Sequence, residues 1–231
     1  MSIWILRLAA LVYAGAVGAY VLQFAKPRTK GAANVGQVLL TFAFVLHAAS
    51  IGFACSEFGG AEFFTLRGGL VMAAWLASGG LLLLLRFYHL PPVATFITPL
   101  ILLALLPTLF GGPGRLEVVP EVVRLPALKV HVSSALAGIA FFAIAFGVAL
   151  MYLLQEREVK GKRFGALFSR LPSLESLDRL NQRLVRAGFV VYTVALITGS
   201  LVARKAWGSF WAWDAQQIVS IGIWMLYGAM V

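Results

Sequence analysis

The chain has 231 residues, of which 61% are hydrophobic and 12% are charged, and its mean hydropathy is +0.89. Average soluble domains carry about 25% charged residues, so this composition excludes a globule with a polar surface and indicates an integral membrane protein. The net charge of +10 does not indicate a nucleic-acid partner, because the basic residues lie between apolar segments, where they serve as topology signals and lipid contacts.

Six apolar segments follow one another along the chain. Each is close to the ~20 residues that a helix needs to cross the hydrocarbon layer. For the first segment a cleaved signal peptide is the alternative, since the small residues at 14–16 resemble a cleavage site. More basic residues follow this segment than precede it, which favours a retained helix with its N-terminus outside. We predict transmembrane helices at 3–24, 35–55, 66–85, 91–110, 131–154 and 184–202.

A seventh apolar run, 218–231, is short for a span, because its fourteen residues rise only about 21 Å in a helix. We expect a seventh helix that is cut off by the end of the chain. The predicted fold is therefore all-α, a polytopic transmembrane bundle of about seven helices that forms one membrane domain over 1–231. The single cysteine, Cys55, excludes an intrachain disulfide.

The distribution of lysine and arginine predicts the topology. Of these nineteen residues, twelve lie in the loops after the first, third and fifth spans, and six lie in the alternate loops. The positive-inside rule then places the N-terminus and the loop after the sixth span outside, and 155–183 in the cytoplasm. Within 155–183, Ser173 is a candidate N-cap of a basic amphipathic helix that lies on the inner leaflet and runs into the sixth span; a docking site for a cytosolic partner is the alternative. Its apolar side is formed by Leu174, Leu177, Leu180 and Leu184.

Three of the six tryptophans lie within seven residues after the sixth span, next to Asp214. An interfacial aromatic belt would explain tryptophans at this level of the membrane, but a belt needs no fixed spacing. In a helix Trp207 and Trp211 share a face, and in an extended loop Trp213 joins them. In both conformations the pattern favours a flat platform on which an aromatic ligand stacks. Arg204 and Lys205, just upstream, stop the helix at the interface or meet the carboxylates of such a ligand.

The three histidines differ in position. His47 lies inside the second span, where an ionisable group is a functional candidate, with a neutral imidazole hydrogen-bonded across helices as the alternative. His131 opens the fifth span on the same predicted side as the tryptophans, and imidazole is a common ligand of haem iron. His89 is interpreted as an interfacial loop residue. The sequence carries no nucleotide-binding, metalloprotease or nucleophile motif, so it leaves open whether the protein is an enzyme.

The tryptophan cluster resembles the signature of a known family. Trp207-Gly208-x-x-Trp211-x-Trp213-Asp214 is similar to the WWD signature of haem-handling membrane proteins, which include CcsA-type cytochrome c assembly proteins and HemX-like proteins. His131-Val132 and the run 152–157 resemble the family's external histidine and following span, and 170–178 is more similar to the HemX-type branch. The resemblance covers about 131–231, while 35–110 matches in hydropathy and in His47 alone. One departure is Ala215-Gln216-Gln217, where the family commonly has Pro-Lys-Glu.

The resemblance implies that b-type haem is bound non-covalently at the outer loop. In that case Trp207, Trp211, Trp213 and Asp214 hold it and His131 is an axial iron ligand, while His47 resembles the family's intramembrane histidine and is a second candidate ligand. A further flanking histidine of the family belongs after the helix that follows the loop.

The implied function is presentation of haem for cytochrome c maturation at the outer face of a bacterial cytoplasmic membrane. The implied partners are apocytochrome c and a second cytochrome c assembly membrane protein, beside the lipid bilayer. The alternative is a HemX-type regulator of haem biosynthesis, which sets glutamyl-tRNA reductase levels without attaching haem. A solute transporter and a di-haem electron carrier are disfavoured, because the spans contain few polar residues and His47 is the one histidine well inside a span.

Overall fold

The computed structural model describes residues 1–26, 31–58, 61–88, 90–110, 125–162 and 165–231. Within these ranges the structure consists of eight α-helices and one short 3-10 helix, Ala61–Phe64, and no strand. Six of the helices are long and apolar enough to cross a membrane. The all-α, polytopic fold is thus confirmed. The helices are α1 (Ser2–Ala25), α2 (Ala32–Phe58), α3 (Leu66–Tyr88), α4 (Pro91–Leu109), α5 (Pro126–Lys160), α6 (Ala166–Arg170), α7 (Leu174–Trp207) and α8 (Ala215–Gly228).

Polar contacts join the helix ends that lie near the N-terminus. The terminal ammonium group lies 2.8 Å from Oε1 of Glu57 at the end of α2. Arg7 donates from Nη2 and Nε to the Leu109 carbonyl at 3.0 and 3.2 Å, and Arg67 donates to the Thr108 carbonyl at 3.1 Å. These guanidinium groups satisfy carbonyls that a helix C-terminus leaves unpaired. The starts of α1 and α3 and the ends of α2 and α4 therefore share one end of the bundle, here called the Met1 end.

The helices α5 and α7 form a closely packed antiparallel pair. A Cβ on Gly188 of α7 would lie 2.7 Å from Cε1 of Phe142 and 2.9 Å from Cβ of Phe141, so only glycine lets the helices approach this far. Near its start, α5 also contacts the start of α3, where Leu136 approaches Gly69. The end of α7 and the loop that follows it consequently lie at the Met1 end. The N-terminus and the tryptophan loop are on the same side of the bundle, as the charge pattern predicts.

The start of α7 differs from the predicted surface helix. Ser173 is the N-cap, as predicted, and its Oγ accepts from the Ser176 N–H at 3.3 Å. The helix is 34 residues long and runs into the sixth span without a break, also as predicted. Leu177 is 0% exposed and Leu180 3% exposed, because both pack into the main hydrophobic core. The interpretation of this leucine stripe as a membrane-facing surface is therefore wrong, since protein covers it.

The last helix, α8, is the short seventh apolar segment of the prediction, and its 14 residues fall below the length of the six spanning helices. It packs through aromatic side chains. Trp224 stacks on Phe189 with ring centroids 5.5 Å apart and donates from Nε1 to Oγ1 of Thr193 at 2.9 Å. Tyr227 stacks on Phe142 at 3.6 Å. These contacts hold α8, the helix that follows the tryptophan loop, against α5 and α7.

Candidate functional site

The tryptophan loop begins where α7 ends. Trp207 is the last residue of α7, and Gly208 follows in the left-handed region with a φ of 77°. The Gly208 N–H donates to the Arg204 carbonyl at 2.9 Å, which closes the helix. Glycine adopts this φ without a steric penalty. Because the backbone reverses here, neither a continuous helix nor a continuous extended segment, the two conformations considered from the sequence, runs through 207–214.

Side-chain hydrogen bonds hold the rest of the loop. Asp214 is the N-cap of α8, and its Oδ1 accepts from the Gln217 N–H at 2.7 Å. The side chain of Gln217 reaches back, so that its Oε1 accepts from the Ala212 N–H at 2.7 Å. Ser209 Oγ donates to the Trp211 carbonyl at 3.1 Å. An N-cap of this kind contributes about 1 kcal/mol, so Asp214 and Gln217 together fix how the loop enters α8.

Trp213 has an unusual backbone conformation. Its φ is 56°, in the left-handed region that bulky L-residues rarely adopt. Such a residue costs about 1–2 kcal/mol relative to the right-handed region. The hydrogen bonds around Asp214 and Gln217 maintain this conformation, and it turns the indole outward, where it is 75% exposed. Strained residues that their surroundings hold in place occur preferentially at functional sites.

The three indoles do not form one flat wall. Trp211 and Trp213 meet edge to face, with ring centroids 5.8 Å apart and an interplanar angle of 80°. Trp207 is 63% exposed. Trp211 is partly buried, and its Nε1–H has no acceptor among the described residues. The loop therefore offers two exposed indoles and one buried N–H donor in need of an acceptor.

The immediate surroundings of the loop are basic. The guanidinium carbon of Arg204 lies 4.8 Å from the ring centroid of Phe210, which holds the cation against the loop. Lys205 is exposed beside it. The carboxylate of Asp214 is engaged in capping α8. The electrostatic balance consequently favours a ligand that carries negative charge.

His131 lies in the first turns of α5 and contacts α7. Its Nδ1 is 2.7 Å from the carbonyl oxygen of Ala195. A carbonyl only accepts, so Nδ1 carries the proton and donates it, and Nε2 carries the lone pair. No hydrogen bond or ring contact links His131 to the tryptophans within the described ranges. Trp207 follows Ala195 by twelve residues, about 18 Å along the axis of α7.

Gly199, which the sequence interpretation missed, makes room for this imidazole. A Cβ at Gly199 would lie 2.6 Å from Cε1 and 2.8 Å from Nδ1 of His131. Gly199 follows Ala195 by one turn, so both face α5. The role of Gly199 could be recognised from the sequence only if the packing of α5 against α7 were already known.

His47 lies on α2 and is buried against α1 and α3. Its Nδ1 lies 3.4 Å from Oη of Tyr13, which donates to Oγ of Ser78 at 2.9 Å. Because the Tyr13 proton goes to Ser78, the tyrosine oxygen accepts from His47, and Nε2 of His47 carries the lone pair. That nitrogen is buried and has no partner that meets hydrogen-bond geometry among the described residues, and the Val71 backbone lies close to the ring. The structure therefore contains the cross-helix hydrogen bond that the sequence offered as one alternative.

His47 is not in contact with His131 or with the tryptophan loop in any described hydrogen bond or ring pair. His89 lies outside the described residues, and so do most residues of the loop before α5. Within the described ranges, no three residues among His, Cys, Asp and Glu cluster closely enough to hold a metal ion. A haem requires less, because the porphyrin supplies four iron ligands and the protein one or two. A single imidazole with its lone pair on Nε2 fits that requirement.

The fold and the site together define a polytopic helical membrane protein with a braced, exposed aromatic loop between its last two described helices. A family model described as "Cytochrome C assembly protein" matches residues 35–231. The chain belongs to the cytochrome c assembly protein family. The matched region includes the tryptophan loop and both described histidines.

Individual relatives carry the name "Cytochrome c biogenesis protein CcsA". The one from Parasynechococcus marenigrum (strain WH8102) is 28% identical over 222 residues, which cover 85% of this chain and 72% of that protein. The one from Synechococcus sp. (strain CC9605) is 26% identical over 234 residues, covering 90% and 76%. The one from Prochlorococcus marinus (strain NATL2A) is 29% identical over 189 residues, covering 69% and 60%.

Proposed function

We propose that this chain acts in cytochrome c maturation by holding haem at the Met1 end and presenting it on the tryptophan loop. Membership of the cytochrome c assembly family, and relatives named as cytochrome c biogenesis proteins, support the role in maturation. The single observation that carries the haem assignment is the 2.7 Å bond between Nδ1 of His131 and the Ala195 carbonyl. This bond leaves Nε2 as the lone-pair nitrogen, the form in which imidazole ligates iron.

The loop contributes surface and donors. The exposed indoles of Trp207 and Trp213 give π-faces against which a porphyrin packs. The unpaired Nε1–H of Trp211 and the guanidinium of Arg204 are donors suited to the propionate carboxylates. Asp214 acts through the backbone, since its hydrogen bond to the Gln217 N–H holds the loop in place. At position 217 glutamine supplies a side-chain oxygen acceptor, as the family's usual glutamate would.

When bound, haem supplies the iron and the vinyl groups to which cysteine thiols of an apocytochrome add. The chain itself would contribute position: the His131 imidazole to hold the iron, the exposed indoles as a platform and the Arg204 guanidinium at one edge. Holding two reactants in a productive geometry is enough to accelerate such an addition greatly without a general acid or base. This assigns to the protein a positioning role in haem attachment.

His47 is proposed as a second iron ligand, within the membrane. The support for this is its position, since an ionisable group inside a span is a functional candidate, and the hydrogen bond to Tyr13, which leaves the lone pair on Nε2. The competing role, a purely structural imidazole, also explains the bond to Tyr13, the 0% exposure of His47 and the nearby Val71 backbone.

The remaining assignments follow the charge distribution and the family. We place the tryptophan loop outside a bacterial cytoplasmic membrane and 155–183 in the cytoplasm, because twelve basic residues lie on that inner side and six on the other. Apocytochrome c and a second assembly membrane protein are the proposed partners. The HemX-type regulatory role has no support from the relatives described above, all of which are named for cytochrome c biogenesis.

The test is the absorption spectrum of the purified full chain, oxidised and reduced, with His131→Ala compared with wild type. His89→Ala is the matched control, because it removes a histidine from the predicted inner loop. We expect His131→Ala to change the axial-ligand bands and to lower haem retention, and His89→Ala to leave both unchanged. Unchanged haem content and ligation in His131→Ala would overturn the assignment.

A further inference from the structure

We propose that Gly199 and the Ala195 carbonyl of α7 form a cradle that sets the tautomer and the orientation of the His131 ring. The two are positioning groups, because they act on the proposed ligand through its ring and do not touch haem. The inference rests on the proposed function, in which His131 ligates iron, but the contacts of the ring with Gly199 and Ala195 are present without haem.

The first part of the cradle is the space above Gly199. A Cβ placed there would lie 2.6 Å from Cε1, 2.8 Å from Nδ1 and 3.5 Å from Nε2 of His131. Carbon atoms in proteins do not approach ring atoms to 2.6 Å, so even a methyl group displaces the imidazole. The obstacle is a short, stiff ring, and it cannot yield as the far end of a long aliphatic chain would. Glycine at 199 is therefore required for this ring position.

The second part is the bond to Ala195. At 2.7 Å it is at the short end of the range for an N–H···O bond. Thr198 Oγ1 shares the same carbonyl at 3.2 Å but makes its shorter bond, 2.7 Å, to the Val194 carbonyl. The Ala195 oxygen is thus left mainly to the imidazole among these side chains. Together the contact with Gly199 and the bond to Ala195 restrict both rotation and translation of the ring.

The consequence for ligation is chemical as well as steric. An imidazole that donates from Nδ1 to a carbonyl is a more basic ligand at Nε2, and its tautomer is defined before iron arrives. A ring without these contacts would populate both tautomers and several rotamers, and only part of that population could bind iron. α5 thus carries the ligand, while α7, the helix that leads into the tryptophan loop, orients it. The ligand and the platform are in this way linked through one rigid helix.

The test compares Gly199→Ala, His131→Ala, the double variant and wild type, all as full chains. Gly222→Ala is the matched control, because a Cβ there has no neighbour within 4 Å. The first readout is the midpoint temperature of unfolding in detergent without haem. We expect Gly199→Ala to lower it in the wild-type background and to have little effect once His131 is alanine, because the ring that the methyl group meets is then absent.

The second readout is the haem spectrum and midpoint potential. We expect Gly199→Ala to lose most of the spectral signal that depends on His131, and to shift the potential in the direction of His131→Ala. Gly222→Ala should match wild type in the spectrum and the potential, and its unfolding temperature should be equal to or above that of wild type, because alanine has the higher helix propensity.

The outcomes separate the cradle from the proposed function. If His131→Ala leaves the spectrum unchanged, the ligand assignment fails, and the unfolding temperatures still decide whether the ring and Gly199 are coupled. If His131→Ala changes the spectrum while Gly199→Ala keeps it, the cradle is refuted and the ligand stands. If Gly199→Ala does not fold, recovery of folding in the double variant supports the cradle, and failure to recover refutes it.

Discussion

Replacing Tyr13 with phenylalanine tests how His47 is held inside the membrane. Tyr13 is 0% exposed, and its hydroxyl group lies between Nδ1 of His47 and Oγ of Ser78. Phenylalanine keeps the ring and its edge-to-face contact with His47, at a centroid distance of 5.9 Å, and removes only the oxygen. Tyr13→Phe therefore leaves a buried Nδ1–H without its acceptor.

The expected loss is about 1–3 kcal/mol of unfolding free energy, which is the range for stranding one buried polar group. Hydrogen bonds between membrane helices are worth about 0.6 kcal/mol on average and up to about 1.7. Both this low average and the length of the bond to His47, 3.4 Å, place the expected loss of unfolding free energy in the lower part of the range of about 1–3 kcal/mol. Removing His47 as well should recover part of the loss, because no polar atom is then stranded.

Tyr20 provides a matched control on the same helix. It is 2% exposed, and its hydroxyl group is buried without a partner among the described residues. Tyr20→Phe should consequently be neutral or stabilising. The assay is unfolding of each variant in detergent, followed by helical circular dichroism, without haem. Equal effects of Tyr13→Phe and Tyr20→Phe would refute the polar network, and so would an additive effect of removing His47 in the Tyr13→Phe background.

Two further substitutions test the loop and the packing beneath it. Asp214→Ala should lower the stability of the loop and of α8 by about 1 kcal/mol and increase proteolysis at 208–214. Asp214→Asn should behave as wild type, because asparagine caps a helix as well as aspartate does. Equal proteolysis of the two variants would contradict the capping role. Gly188→Ala should lower the unfolding free energy. Overpacking against Phe142 costs about 1–3 kcal/mol, which outweighs the gain of about 1 kcal/mol in helix propensity. Gly18→Ala, with no neighbour within 4 Å of its Cβ, should gain stability instead, and a similar response of the two glycines in thermal unfolding would exclude the close approach of α5 and α7.

The spans were predictable because apolar length is a local property. All six predicted segments correspond to helices, and the short run after the tryptophan loop is the helix Ala215–Gly228. The N-cap at Ser173 was also predictable, since capping depends on neighbours in sequence. The leucine stripe at Leu177 and Leu180 was misinterpreted, because an amphipathic pattern shows that a face is covered but not whether lipid or protein covers it.

The tryptophan cluster could be located from the sequence, but its geometry could not, and the site residues stay a prediction. The spacing of Trp207, Trp211 and Trp213 identified the cluster, but the reversal at Gly208 and the positive φ of Trp213 depend on contacts that spacing does not contain. Gly199 and Tyr13 were missed because each matters only through a side chain on another helix, 68 and 34 positions away in sequence. Such pairings arise from helix packing, for which single-sequence periodicity gives no register.

The most direct test of haem ligation by His131 is the electron paramagnetic resonance spectrum of the ferric full chain with ¹⁵N-labelled histidine. Measuring it in a His47→Ala background removes the second proposed ligand. If His131 ligates the iron, a hyperfine coupling between iron and one imidazole nitrogen is expected, and it should disappear when His131 is also replaced by alanine. A coupling that persists in the double variant, or one that is absent while His131 is present and haem is bound, would contradict it.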